Sequence, residues 1–498
     1  MNLDTLTDPH AFLESMLGGS WSQHRRYTTW WEAHGKAISS AVDRAGMPAV
    51  RQFDRLGARV DEILLLPDYW RMLHEGYREG VVWRAFNESL KAAYIPGYLT
   101  AYYDVGLYCP YTVSLGTAMA IDKYAPPAVR DLFLPTMLVQ DDAVWQGATW
   151  MTEVGGGSDL GTHVRTTAKP NGDCWTLTGE KYFCSNVGAE LAVVAARPEG
   201  APDGVRGLAL FLVPRTRDDG ALNYHIRRLK DKIATRSVPT GEVELRDSEA
   251  YLLGEAGHGI YLIMEVLNIS RVCNSVGSVA LAQRALTEAY TFACGRVAFG
   301  KALIDQPLMR RQFETKAAEL RAAFALAWAS VELADEVWRE KSPRYSDRFH
   351  LYRLVTHLAK YWTAELAVQM AKWAMEVNGG AGTLADYGVE RWLREAMIVD
   401  IWEGPPHRQI LDGIEVMERR GAHRALFEML SPHADAAEIG ALRAQIDAHL
   451  ALPQDEKEAG AGEVFGALAS WAAKACEARL KAWVENNAPI SSDLPAAR

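Results

Sequence analysis

Cysteine is scarce in this chain. The 498 residues hold six, Cys109, Cys174, Cys184, Cys273, Cys294 and Cys476. None forms a C-x-x-C pair and none has zinc-ligand spacing, so no metal site is expected. In a chain of this length they read as buried thiols of a reducing compartment. No run of about 18 apolar residues occurs, so no membrane span is expected. The opening MNLDTLTDPHAFLE lacks a basic n-region and an apolar h-region, so no signal peptide is expected and a cytoplasmic location follows. Positive charge is also short, with 53 Lys and Arg against 63 Asp and Glu, a net charge of −10. That argues against a bulk nucleic-acid binder, because neutralising phosphates needs clustered cations, although it leaves room for a local basic patch. No G-x-G-x-x-G lies between a strand and a helix, which removes support for a Rossmann nucleotide site.

What is present is a change of texture along the chain. The length implies two to four domains. Residues 1–148 read as a helical domain, with apolar spacings of three and four punctuated by Pro and Gly. Val60, Ile63 and Leu64, followed after Pro67 by Tyr69 to Leu73, are one such series, and Val129, Leu132, Phe133 and Met137 are another. Over 149–255 the period becomes that of strands. Trp175 and Leu177 alternate with Thr176 and Thr178 after the Asn171-Gly172 hairpin signal, and Leu191 to Ala196 and Leu208 to Val213 are short apolar runs. These short strands suggest a small antiparallel barrel or sandwich. Helical period returns over 256–430, where Val272, Val276, Val279, Leu286 and Tyr290 trace one face of a long helix. Glu314 to Trp338 and Arg353 to Val377 are two more, the last ending at the glycine-rich Asn378–Gly382. A tail over 431–498 offers helices at Ala437 to Leu450 and Val464 to Val484, split by the polar stretch 453–462 and ending in a frayed APISSDLPAAR. The expected architecture is α+β multidomain: an N-terminal helical domain, a central small β-barrel, a C-terminal helical bundle and a helical tail. Segregated strands and helices exclude a doubly wound fold.

Met151–Asp159, MTEVGGGSD, is the first segment that suggests chemistry. Its three consecutive glycines remove side chains where backbone must approach something closely. The exposed N–H groups and the Ser158 hydroxyl suit phosphate or flavin oxygens, and a plain tight turn suits the same residues equally. Four further segments follow in order: Lys181–Asn186 (KYFCSN), Lys232–Ser237 (KIATRS), Arg296–Lys301 (RVAFGK) and Trp402-Glu403-Gly404. Together they resemble the acyl-CoA dehydrogenase family, whose pattern runs T-E-x-G-x-G-S-D, K-x-[WF]-[IC]-[TS]-N, K-x-G-x-R-x-S/T, R-x-x-F-G, Q-x-x-G-G and [YW]-E-G. The resemblance spans roughly residues 55 to 420. It is greatest to the AidB-like branch, through Cys109-Pro110, Leu229–Lys232, Gln306–Arg310, Glu376–Gly380 and Ile401–Gly404.

The resemblance implies FAD as cofactor and an acyl-CoA thioester as substrate, with Glu403 taking the α-proton while hydride passes to flavin N5. A carboxylate suits that task only if desolvation raises its pKa, and Trp402 and the flavin would supply an aromatic wall. Some relatives carry the base on an earlier helix; Ser270 holds that position here, beside Arg271, and serine is no base for this task. Thr152, Gly157 and Ser158 would contact the flavin, Phe183 would cover one of its faces and Ser185 would donate to N5. Arg296 and Gln306 would reach the FAD of a neighbouring subunit, whose pyrophosphate the turn at Gly379-Gly380 would admit, and Phe299 would be a further cofactor contact. A homotetramer, or at least a dimer, is therefore expected, with an electron-transfer flavoprotein as the oxidant the resemblance implies. Arg271, Ser158 and Gly404 would border the substrate.

Three departures from the family pattern stand out. Glu376 replaces the glutamine before x-x-G-G, Ala298 replaces the threonine of R-x-T-F, and Pro405-Pro406-His407 replaces a Thr-Ser-Gln-type segment. Two prolines donate no backbone hydrogen bonds, so the contact there must be altered, with His407 as a replacement donor. Two other functions remain open. One is an AidB-type flavoprotein with a role in DNA and alkylation stress; the other is a flavin oxidase or monooxygenase. The region after 430 carries ten acidic and six basic residues, which argues against DNA as a partner.

Overall fold

The computed structural model describes residues 3–341 and 344–487. Asp493, Arg498 and the frayed end expected at 488–498 lie outside them. The chain runs from helices through a β-barrel to a second, longer set of helices. Solvent-excluding geometry starts at the helix ends. Asp104, fully buried, accepts the Leu107 amide at 2.8 Å and so opens the Val105–Tyr124 helix. Pro307 and Pro406 occupy first helical positions, where a missing N–H costs nothing. Ser346 accepts Phe349 N at 3.1 Å to start Asp347–Asn378. The Gly259–Gly295 helix is apolar on almost every side and accordingly sits in the middle. Leu90–Tyr103, Val105–Tyr124, Pro307–Val337, Asp347–Asn378 and Val389–Ile401 all pack on it. Its faces extend well beyond the single stripe of Val272, Val276, Val279 and Leu286.

The barrel closes on five strands. Leu191–Pro198 pairs with Thr167–Asn171, then in turn come Cys174–Ser185, Thr240–Leu253 and Ala209–Pro214, which returns to Leu191–Pro198. The expectation of a purely antiparallel sheet fails at two pairings: Leu191–Pro198 is parallel both to Thr167–Asn171 and to Gly147–Trp150. The inside is filled by Trp150, Leu177, Val194, Phe211 and Val243.

Three local readings need correction. Val60, Ile63 and Leu64 belong to a strand, Arg59–Leu64, in a hairpin with Ala49–Phe53. That hairpin lies on the barrel: the buried Asp61 accepts Ile226 N at 2.9 Å. Residues 453–462 are no linker, because the last helix begins at Gln454 and runs to Asn487. Among the thiols, all free, Cys184, Cys273 and Cys476 are buried, but Cys109 and Cys174 are half-buried and Cys294 is exposed. No helix among the described residues is long and apolar enough to cross a membrane.

Candidate active site

The glycine-rich segment is held from beneath. Glu153 and Lys181 are buried and paired, Nζ to Oε1 2.7 Å. The other donors to this carboxylate are Arg165 N at 2.8 Å, Thr166 N at 3.1 Å and the Thr166 hydroxyl at 2.7 Å. Tyr182 N donates to Thr152 O at 3.0 Å and joins the loop to its strand. With Glu153 turned inward, Thr152, Gly157 and Ser158 lie on the open side, and neither hydroxyl bonds to another described residue. Along Cys174–Ser185 the alternation puts Cys184 inside and leaves Phe183 53% exposed. Lys230 Nζ lies 3.2 Å from the Tyr182 ring centroid and 4.5 Å from that of Phe183. A half-exposed aromatic ring, free hydroxyls and side-chain-free backbone on one face fit a flat cofactor carrying phosphates.

Glu403 follows the Val389–Ile401 helix in a left-handed turn, φ +60°, and Gly404 continues at +101°, a region that favours glycine. Neither Pro405 nor Pro406 donates an N–H to the turn, so side chains cap its carbonyls. Arg271 Nε donates to Glu403 O at 2.9 Å, and Gln409 Nε2 donates to Glu403 O at 3.0 Å and Gly404 O at 2.9 Å. Lys360 donates to the carbonyl of Asp400, and Asn274 Nδ2 to that of Val399 at 2.9 Å. Glu403 is half-buried and no described side chain donates to its carboxylate. Burial pushes that carboxyl up to about 7 against the opposing pull of Arg271 and Lys360. Burial likewise brings Lys360 down to about 8. Cys109 joins the two halves of the site, since Glu403, Lys232 and Ser185 all act on its thiol, which burial raises to about 12. Ser270 is buried with an unpartnered hydroxyl. One residue away, Ile269 lines a small cavity with Met119, Val266, Phe349 and Tyr352 and with the paired Lys123 and Glu265.

The structure therefore brings together Thr152, Gly157, Ser158, Phe183 and Ser185, and sets Glu403, Gly404 and Arg271 beside them. It does not bring in the others. Arg296 is 25 residues beyond Arg271, which along the helix axis is about 37 Å. Phe299 sits at the tip of a small hairpin, 98% exposed at φ +51°, and Gln306 Nε2 donates to Ala298 O at 3.1 Å. Gly379-Gly380 lies at that same end, because Tyr290, Phe313 and Trp373 meet there edge to face with centroids 5.7 and 4.7 Å apart. His407 is exposed, and the added charge of Glu376 is neutralised by Lys372 one helical turn earlier. Sequence reasoning missed the Glu153–Lys181 pair as a unit, along with Lys360, Gln409 and His357. Lys181 stands within a quoted motif; nothing in the spacing marks the other three.

Solved structures share this helical, barrel, helical order. The apo-form of Bd2924 superposes with a TM-score of 0.84 at 28% identity, covering 96% of each chain. An acyl-CoA dehydrogenase complexed with FAD from Bacillus anthracis, 19% identical, reaches 0.74 over 94% of this chain and 83% of its own. Three family models match in succession: the AidB N-terminal domain over 21–141, the acyl-CoA dehydrogenase middle domain over 148–248 and the acyl-CoA dehydrogenase C-terminal domain over 257–417. The chain belongs to the acyl-CoA dehydrogenase family. It is 28% identical to acyl-CoA dehydrogenase family member 11 of Caenorhabditis elegans, over 79% of this chain and 67% of that protein. It is also 28% identical to the putative acyl-CoA dehydrogenase AidB of Escherichia coli, over 77% and 71%.

Proposed function

We propose that this protein is an FAD-dependent oxidoreductase that dehydrogenates an acyl-CoA thioester between Cα and Cβ, with Glu403 as the base. The observation that carries the reading is a carboxyl raised to about 7 by burial, with Arg271 beside it and the barrel face of Phe183 and Ser185 across Cys109. Such a group is about half ionised at neutral pH and is basic enough, when ionised, to take a proton from an α-carbon acidified by its thioester. Thr152, Gly157, Ser158, Phe183 and Ser185 would hold FAD, which when bound supplies the hydride acceptor. Arg271 fixes the main chain of the base and keeps a positive charge near the carboxylate. Arg271, Ser158 and Gly404 would border the substrate. Arg296, Phe299, Gln306, Gly379 and Gly380 lie too far away to serve their own chain, which supports a homotetramer in which they reach a neighbour's FAD. An electron-transfer flavoprotein is the natural oxidant of such an enzyme.

The test is anaerobic mixing with a panel of acyl-CoAs while flavin absorbance is followed. At least one should bleach the wild-type flavin. Glu403→Gln should keep its flavin and lose about 10²–10⁴ in reduction rate. A rate within about threefold of wild type, well short of what a lost base costs, would refute the assignment. The AidB N-terminal match favours a second reading, an AidB-type flavoprotein of the alkylation-stress class, which no acyl-CoA would reduce.

A further inference from the structure

The turn that carries Glu403 is the strained part of this site, and its restraint does not end with the residues that touch it. The Gln409 amide must present its NH2 to two carbonyls at once, Glu403 O and Gly404 O. Turned the other way, its oxygen would face both carbonyl oxygens with no hydrogen between them. The NH2 is kept in place because the amide oxygen has a donor of its own: His357 Nδ1 lies 2.9 Å from Gln409 Oε1. An amide oxygen only accepts, so this contact fixes the tautomer with hydrogen on Nδ1. His357 Nε2 then carries a lone pair, buried and without a hydrogen-bond partner among the described residues. Both side chains are fully buried.

We infer that His357 and Gln409 are positioning residues for the catalytic carboxylate: the Nδ1–H of His357 sets the Gln409 amide, whose NH2 bridges the Glu403 and Gly404 carbonyls and holds Glu403 in its left-handed turn. The assignment rests on Glu403 being the base. Pro405 and Pro406 give the pair its importance, because the backbone after the turn offers no N–H. Arg271 caps only the first of the two carbonyls. The relay also stays in one state, since burial together with Arg271 and Arg353 depresses His357 to about 3 and keeps it neutral.

The charged and titratable groups that act on Glu403 are Arg271 and Cys273 on Gly259–Gly295, Lys360 on Asp347–Asn378 and Cys109 on Val105–Tyr124. None of them is altered in the variants that follow, but Gln409→Glu brings a carboxylate of its own to the turn, so the acidic limb is read in the His357 variants and Gln409→Glu is read by kcat. The experiment compares His357→Phe, His357→Asn and Gln409→Glu in the flavin-loaded enzyme, measuring kcat, KM, the acidic limb of kcat/KM and flavin content. His357→Phe and Gln409→Glu should lower kcat by about 10- to 100-fold, the scale of a misplacement near 1 Å. KM should stay within about threefold, because uniform binding is untouched. The acidic limb should move away from its wild-type position as the carboxylate leaves its fixed surroundings. His357→Asn, which keeps an N–H donor, should recover most of kcat. Equal losses in His357→Asn and His357→Phe, with the limb unmoved, would assign the histidine to packing and overturn the inference. Should His357→Phe fail to fold, Gln409→Glu against His357→Asn carries the same comparison. Glu403→Gln is run in parallel. If it is inactive while His357→Phe and Gln409→Glu match wild type, the inference falls and the function stands; if it is active, both fall.

Discussion

Lys181→Met should loosen the glycine-rich loop far more than its place in a strand suggests. The side chains of Lys181 and Glu153 are 0% and 6% exposed, and their ion pair lies directly under Thr152 to Ser158. Burial by itself would raise the Glu153 carboxyl; Lys181, with the donors from Arg165 and Thr166, outweighs that and holds it below the usual carboxylate range. Methionine fills the volume but leaves a buried carboxylate facing only neutral donors, and breaking a buried pair this way costs about 3–5 kcal/mol. The sensitive assay is amide exchange read by mass spectrometry over 147–166, where that energy is about two to three and a half powers of ten in protection. Retention of flavin should fall in step. Adding Glu153→Gln to Lys181→Met should restore part of the loss, because the amide oxygen still accepts from Thr166 and no charge is buried. The pH dependence has a fixed sign. With its folded pKa depressed, Glu153 contributes stability fully above its ordinary 4.5 and loses it as pH falls through the folded value. In Lys181→Met this acid-side loss should shrink, because without Lys181 burial raises the folded pKa of Glu153 and protonation relieves the buried charge. Protection within about tenfold of wild type, a little over 1 kcal/mol, or a double variant worse than the single one, would refute this account of the loop.

Three further outcomes follow from other parts of the molecule. Flavin reduction by a reactive acyl-CoA should rise with pH through about 7, and Arg271→Gln should shift that midpoint upward, because Arg271 lowers the Glu403 carboxyl; stopped-flow rates across the range check both. Phe299→Asp, at a side chain 98% exposed on its own chain, should weaken self-association and FAD retention together, as read by light scattering and flavin release. Duplex DNA should bind no more tightly than micromolar at physiological salt, given a net charge of −10; a tight, steeply salt-dependent complex would favour the AidB-type reading.

Much of the fold was legible because its patterns are local. The hairpin after Asn171-Gly172 and the two apolar strand runs needed only their period. The errors also have local causes. Val60, Ile63 and Leu64 keep helical spacing because a register shift in Arg59–Leu64 breaks the strand alternation, with Asp61 at φ +42°. The polar start of the Gln454–Asn487 helix hides its buried side, since one of its inward residues is Lys457, paired with Glu418. A lysine stem covers apolar surface without looking apolar in a sequence.

The site divides differently. Glu403 and the loop from Thr152 to Ser158 stand in motifs, and motifs are contiguous text. The groups that restrain Glu403 come from three helices, at 271, 357 and 360, and 409, and no spacing joins them. One departure did point towards them. Pro405-Pro406 marks a place where backbone donors are lost, and the sequence suggested the exposed His407 as the replacement. The physical requirement was read correctly and the wrong residue was assigned to it. A carbonyl deprived of an N–H needs a donor that is already desolvated and fixed, because an exposed imidazole must give up water to serve. Gln409, one turn into the helix that the prolines start, meets that condition, and its own amide is fixed in turn by His357. The proline pair thus shifts control of the Glu403 turn from main chain to side chains, and makes the geometry of the base depend on a histidine some 46 residues earlier in the chain.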